Sequence, residues 1–207
     1  GGVLYVAVNS QYYRDDAEVG ALRAEQDGWL RDIFAEAKEE NAKHVVMLSH
    51  VPPFITDEDE QPGWANWQSE PRKHILSLAA AAGVKLVLCG HYHGNAIGMS
   101  RSGIEVVTSS SCGGVINWTL DPSMIATQPF PDFKKVVGSP PVVADARHSG
   151  MRIVRVEDHK ISHRWFELAD VPPTLEDAFA KRATLALGKE RSIARLADAM
   201  GLSVSRP

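Results

Sequence analysis

The chain opens on an apolar run, Val3 to Val8, that predicts a buried strand. After a pause at Asn9-Ser10-Gln11 the apolar positions move to helical spacing: Leu22, Gln26, Trp29, Leu30, Ile33, Phe34 and Ala37 fall on one stripe. That helix is expected to end near Asn41. His44 to His50 then predicts a second buried strand, because its short apolar run stops at the polar pair Ser49-His50 and is followed by Pro52-Pro53. His50 therefore stands at a strand's carboxyl end. Next, His74, Ile75, Leu78 and Ala82 trace a second helix face, with Gly83 as its stop, and Val84 to Cys89 predicts a third strand running into Gly90-His91-Tyr92-His93-Gly94.

Two strand-helix units in succession imply right-handed crossovers and a largely parallel sheet, with ligand-binding loops at the carboxyl ends of its strands. The fold class is thus α/β. Val3 to Val8, an apolar run with no polar leader, is expected at the centre of that sheet. Beyond Gly98 the pattern changes. Ile104 to Thr108, Met151 to Val156 and Ile161 to Leu168 predict strands of a second, more antiparallel sheet. Between them, residues 117–149 are rich in Pro, Gly and Ser and are expected to form a long surface insertion. Pro172-Pro173 closes a main domain over residues 1–170. Residues 171–207 form a tail in which Leu175 to Met200 predicts one or two amphipathic helices. Within it, Ile193 to Ser203 has the cadence of the first helix of a helix-turn-helix, but the chain stops at Pro207 before any recognition helix, so packing on the domain or a partner is the better reading.

Composition narrows the functional classes. With 207 residues, 44% hydrophobic and 23% charged, the chain can bury a real core in one main domain. A net charge of -4 without a long basic block excludes nucleic acid or an anionic membrane as a partner gripped by bulk electrostatics. Cys89 and Cys112 are too few for a disulfide framework, which points to a reducing, cytoplasmic compartment. A start on Gly1-Gly2, with neither Met nor a leader, is read as a sign that an upstream part is missing.

The strongest local signal is Gly90-His91-Tyr92-His93 after an apolar strand. Alternate residues leaving a strand end can aim two imidazoles into one cavity, and Gly90 is expected to let the backbone turn without a side-chain clash. Neutral imidazole is a common ligand for zinc, iron and manganese centres. Alone, the pair also reads as two polar loop residues; His50, at another strand end, supplies a third nitrogen.

Taken in order, Asn9-Ser10-Gln11, Gln26-x-x-Trp29-Leu30, Ser49-His50-x-Pro52 and Gly90-His91-Tyr92-His93-x-Asn95-Ala96 resemble the calcineurin-like metallophosphoesterases. Within that superfamily they resemble the branch named for its calcineurin-like phosphoesterase domain, described as serine/threonine protein phosphatases. The resemblance covers roughly Gly1 to Leu168. It implies an α/β sandwich of two mixed sheets flanked by helices, of which this chain is the carboxyl-terminal part. It implies two divalent or trivalent ions, Mn, Fe or Zn, with His50 and His91 on one and His93 on the other. Such a pair acidifies a water and neutralises phosphoryl oxygens, so the partner it implies is a phosphorylated substrate, a phosphoprotein among the candidates.

The same comparison exposes departures. The family's earlier Asp-x-His, Gly-Asp and Gly-Asn-His-Asp motifs are absent from this sequence, which has no Gly-Asp and no Asn-His pair. Three imidazoles divided between two cations, with no bridging carboxylate, hold neither firmly. The isolated chain is therefore expected to be inactive; either an upstream segment supplies the rest, or the chain is a structural or binding relative without activity. A mononuclear three-histidine zinc site is a third reading.

Asn66, Arg72 and Asn95 are candidates for binding substrate. Asn66 and Arg72 fall where the related branch also carries Asn and Arg, and would orient phosphate through an amide and a guanidinium fork, against the plainer reading of surface helix residues. Trp64 and Trp67 read either as pocket walls or as loop packing, and Asp57 to Glu60 as a solvated acidic run. Cys112 has no histidine near it in sequence to activate it. His44, His74, His148, His159 and His163 are read as structural or exposed.

Overall fold

The computed structural model describes residues 2–112 and 149–180. The bulk of the expected insertion and tail, including the helix-turn-helix cadence at residues 193–203 and His148, lies outside them. Strand β2, His44–Ser49, shows why the sheet forms: Val45 and Met47 point to one face and Val46 and Leu48 to the other, so a continuous apolar run is covered on both sides. Strands β1, Val3–Val8, and β3, Leu86–Cys89, flank it in parallel. Strand β5, Glu105–Thr108, continues parallel to β3, and β4, Ala96–Met99, closes the far side antiparallel. The order is β1-β2-β3-β5-β4.

Helix α1, Gln11–Arg14, is a single turn; α2, Gly20–Glu39, and α3, Ser69–Ala81, are the two helices read from periodicity. Leu30, Phe34 and Ala37 of α2, with Ile75, Leu76 and Ala79 of α3, pack on one sheet face with Val6, Met47, Val87 and Val106. Fully burying a side chain such as Leu30 or Phe34 contributes roughly 1.5–3 kcal/mol. Gly83 ends α3 with φ 81, donating its N–H to the Ala80 carbonyl at 3.0 Å, as a left-handed helix stop requires.

The opposite face, Val46, Leu86 and Val107, receives Ile161 from a hairpin of β6, Gly150–Glu157, and β7, Lys160–Glu167. Its turn is held near the start of β2 by Lys43 on Asp158 at 2.7 Å and His44 Nε2 against the Glu157 carbonyl at 2.8 Å. A 3-10 turn at Leu168–Asp170 leads to the short helix α4, Leu175–Phe179, capped by the Thr174 hydroxyl, which accepts from the Asp177 N–H at 3.1 Å. The architecture is mixed α/β, with helices, a mixed sheet and an antiparallel hairpin in layers.

Two expectations need correction. Ile104 to Thr108 contributes β5 to the first sheet and not to the second. β4 went unread because four residues with Gly98 inside carry little strand pattern. Strand β1, expected at the centre, lies at an edge among the described strands and pairs with β2 alone; only Val6 and Val8 in it are buried, and Tyr5 is 53% exposed.

Candidate metal centre at the carboxyl edge of the sheet

In register, Val8 lies opposite Ser49, Ser49 opposite Cys89, Cys89 opposite Thr108 and Thr108 opposite Ala96. The segments Asn9-Ser10, His50-Val51, Gly90 to Asn95 and Ser109-Ser110 therefore share one edge. They are tied together there: Val51 N–H donates to Ser10 Oγ at 2.9 Å, Gly90 N–H to the His50 carbonyl at 3.1 Å and Ser109 N–H to the Cys89 carbonyl at 2.9 Å.

His50 and His91, 41 residues apart, meet at this edge, with His91 Nδ1 3.2 Å from His50 Nε2 and the rings edge to face. His91 Nε2 lies 2.9 Å from the Trp64 carbonyl oxygen. A carbonyl only accepts, so Nε2 carries the proton and Nδ1 presents a lone pair toward His50. Burial, joined by the charges of His50, Arg14 and His93, holds His91 below its ordinary pKa against the opposing pull of the Trp64 hydrogen bond, which favours the neutral ring a metal needs.

This geometry suits a cation. Two nitrogens bound to one ion at about 2.0–2.1 Å lie about 3.0 Å apart at a right angle and about 3.4 Å apart at the tetrahedral angle. The separation of 3.2 Å falls between the two. A backbone carbonyl on the far ring nitrogen is the common way a ligating imidazole is oriented. His93 leaves the same loop half-buried, its Nδ1 shielded from solvent with no hydrogen-bond partner among the described residues. Two converging nitrogens are still short of a site: among the described residues, no group of three His, Cys, Asp or Glu side chains is placed to hold a metal ion.

The loop is strained, though not where glycine was expected to relieve it. A Cβ on Gly90 would meet only ordinary contacts, the nearest being His50 Nδ1 at 3.7 Å. The left-handed backbone falls instead on His91, φ 64, and His93, φ 57. Each costs on the order of 1–2 kcal/mol for a residue with a Cβ, so surrounding bonds must hold it. Tyr92 N–H donates to the Gly90 carbonyl at 2.7 Å, and Ser110 Oγ to the His93 carbonyl at 3.1 Å.

The three residues read as substrate contacts are all engaged. Arg72, 1% exposed, donates to the carbonyls of Glu58 at 2.8 Å, Glu60 at 2.6 Å and Trp67 at 2.8 Å. Asn66, also 1% exposed, donates to Glu60 Oε1 at 2.8 Å and accepts from Gly63 N–H at 2.7 Å. Both pin the segment that carries Trp64. Asn95 Oδ1 accepts from Ser110 N–H and from Arg152 Nη2, each at 3.2 Å.

Nor is the acidic run merely solvated, because Glu60 takes the Ile55 N–H at 2.5 Å, Glu58 takes the Arg101 N–H at 2.7 Å and Asp59 pairs with the Arg101 guanidinium. Trp67 is core, fully buried with its Nε1–H on the Val51 carbonyl at 2.7 Å, whereas Trp64 lies tilted against His91 at 5.3 Å between ring centroids. Sequence reasoning missed the Trp64 carbonyl, Arg152 and His163. A backbone acceptor leaves no mark in sequence, and Arg152 on β6 and His163 on β7 sit on strands whose alternation says only which face they take.

Imidazoles gathered at the carboxyl edge of a mixed sheet, with the far nitrogen of one ring on a carbonyl, place the chain among α/β proteins whose candidate site lies on the strand-end loops. The chain is similar to proteins named as serine/threonine phosphatases. It is 30% identical over 171 residues to the serine/threonine-protein phosphatase CPPED1 of Bos taurus, covering 83% of this chain and 45% of that protein. To CPPED1 of Danio rerio it is 35% identical over 113 residues, covering 55% of this chain and 36% of that protein. The chain spans about half the length, or less, of the curated relatives it matches. No family profile matches it. Among solved structures, a dimetal phosphatase from Danio rerio overlaps 42% of this chain and 26% of its own, with 20% identity and a TM-score of 0.33. No helix of the described residues is long and apolar enough to cross a membrane.

Proposed function

We propose that this chain supplies the histidine side of a metal-dependent phosphoesterase site, with His50 and His91 on one cation and His93 facing the neighbouring position. The intact protein is then a phosphomonoesterase, and its kinship with CPPED1 favours phosphoserine or phosphothreonine in a protein as substrate. The observation that carries this reading is His91, poised between the Trp64 carbonyl and His50 Nε2 with its lone pair turned inward. Two Mn, Fe or Zn ions, when bound, would acidify a water and neutralise phosphoryl charge. The chain's own residues do the holding: Trp64 sets the His91 tautomer, Ser10 fixes the backbone after His50, and Ser110 fixes that of His93. A cytoplasmic setting goes with this reading on the cysteines alone, since Cys89 and Cys112 are both free and too few for a disulfide framework.

The test is metal binding and phosphate release by the intact protein, with His50→Ala and His91→Ala beside it. Each substitution is expected to weaken manganese or zinc binding by more than about a hundredfold, beyond the loss typical of an outer-shell partner, and to abolish release from a phosphoserine peptide. Unchanged metal affinity in both variants would overturn the assignment. A second reading is favoured by the pair of nitrogens, which among the described residues stand without the further ligands a metal needs. In it, the chain is an inactive phosphoesterase-like scaffold that binds or supports a partner, and the intact protein shows no specific metal binding while keeping its fold.

A further inference from the structure

Arg152, on β6 of the hairpin, has all three guanidinium nitrogens committed. Its Nε donates to Ser109 Oγ at 2.7 Å, its Nη2 to Asn95 Oδ1 at 3.2 Å and its Nη1 to His163 Nδ1 at 3.0 Å. Arginine only donates, so His163 Nδ1 accepts and its Nε2–H is left for Glu105, whose Oε2 lies 3.2 Å away. The series Glu105, His163, Arg152 thus runs across the face of the first sheet to its carboxyl edge. There the same Asn95 oxygen that takes Arg152 also takes the Ser110 amide, and the Ser110 hydroxyl holds the carbonyl of His93.

With each of its three nitrogens already engaged, Arg152 has a structural task, whatever its two remaining N–H groups meet. We propose that Arg152 is a positioning residue: it braces the hairpin against the strand-end loops and, through Asn95 and Ser110, holds the left-handed backbone from which His93 projects. This deepens the phosphoesterase reading and rests on it for the importance of His93. The bracing itself needs neither metal nor substrate. Burial, opposed by the charge of Glu105, lowers the Arg152 pKa to about 10, which leaves the guanidinium charged at neutral pH and able to brace. Charge-assisted bonds of this kind fix geometry better than neutral ones. Lysine, with a single nitrogen, cannot reach three acceptors that lie in three directions.

The test is hydrogen exchange at the Ser110 amide and the ring nitrogen resonances of His93, read in the full chain without metal. Arg152→Ala and Arg152→Lys are both expected to speed Ser110 exchange about tenfold and to shift the His93 ring signals, with Val106 and Val107 still protected. Phe179→Ala serves as the control: it removes the ring under Arg155 and Arg164 and loosens the hairpin without touching Arg152, and it should leave both readouts unchanged. Should the Arg152 variants lose the hairpin altogether, Asn95→Asp, which keeps an acceptor, should match the parent while Asn95→Leu shows the fast exchange. Parent-like Ser110 and His93 signals in folded Arg152→Ala, or equal behaviour of the two Asn95 variants, would overturn the proposal. Loss of phosphatase activity alone bears on the functional reading and not on the brace.

Discussion

The Trp64 carbonyl oxygen lies 2.9 Å from Nε2 of His91, and that one contact decides which nitrogen of the ring is free. The ring should therefore be the Nε2–H tautomer in solution. Nitrogen-15 spectra of the histidine side chains at neutral pH should show His91 Nε2 as protonated and Nδ1 as the bare nitrogen; the reverse pattern would remove the lone pair from the His50 side.

Arg72 should matter for stability. Its guanidinium is buried and satisfies three loop carbonyls, so Arg72→Ala leaves those acceptors without their donor and opens a void. A loss of about 2–4 kcal/mol is expected in urea unfolding. Arg72→Lys should recover little of it, because one ammonium cannot replace a fork aimed at carbonyls of Glu58, Glu60 and Trp67. A variant as stable as the parent would return Arg72 to the substrate role first read for it.

The two glycines of this region should respond in opposite ways. A Cβ at Gly98 would stand 2.6 Å from Phe54 Cε2 and 2.7 Å from the Thr56 carbonyl oxygen, so Gly98→Ala forces the 54–56 segment off β4. Thermal unfolding should report a loss of about 1–3 kcal/mol. Gly90→Ala meets nothing nearer than 3.7 Å and is expected to be close to neutral. Equal costs at both positions would contradict the packing described.

Glu105 gives the acid limb of stability a specific contributor. Its hydrogen bond to His163, aided by the charge of Arg152 and opposed by a smaller effect of burial, holds its pKa below the ordinary value of 4.5. A folded-state pKa below the unfolded one means that Glu105 contributes stability above the unfolded value, and that this is lost as pH falls through the folded value. Unfolding curves taken below pH 4.5 should be less pH-dependent for Glu105→Gln than for the parent. An identical slope would show that the pairing with His163 contributes nothing.

Much of the sheet was legible because parallel strands must be covered on both faces and so declare themselves as apolar runs. Val3 to Val8 matches β1 residue for residue, and the run read over His44 to His50 matches β2 to within its last residue. What failed was assignment between sheets: β5 reads the same whichever sheet takes it, and four-residue β4 carries too few positions to alternate. For the candidate site, the meeting of His50 with His91 followed from strand ends sharing one edge. The roles of Asn66 and Arg72 did not, since an amide and a guanidinium suit backbone carbonyls as well as phosphate, and only burial separates the two. Arg152 lay beyond reach of any local pattern, 57 residues from its partner Asn95.

The positive φ angles of His91 and His93 carry a consequence for how this loop changes under selection. Stability alone would favour glycine or asparagine at both positions, since either relaxes the backbone at once. A lineage freed from any duty at this edge has an easy downhill route away from imidazole, open to single substitutions and rewarded by a firmer fold. The two rings are therefore locally frustrated, held against the drift of the folding landscape. Screening substitutions for stability and for metal retention in parallel would separate the two pressures, with His91→Gly and His93→Gly gaining in the first and losing in the second.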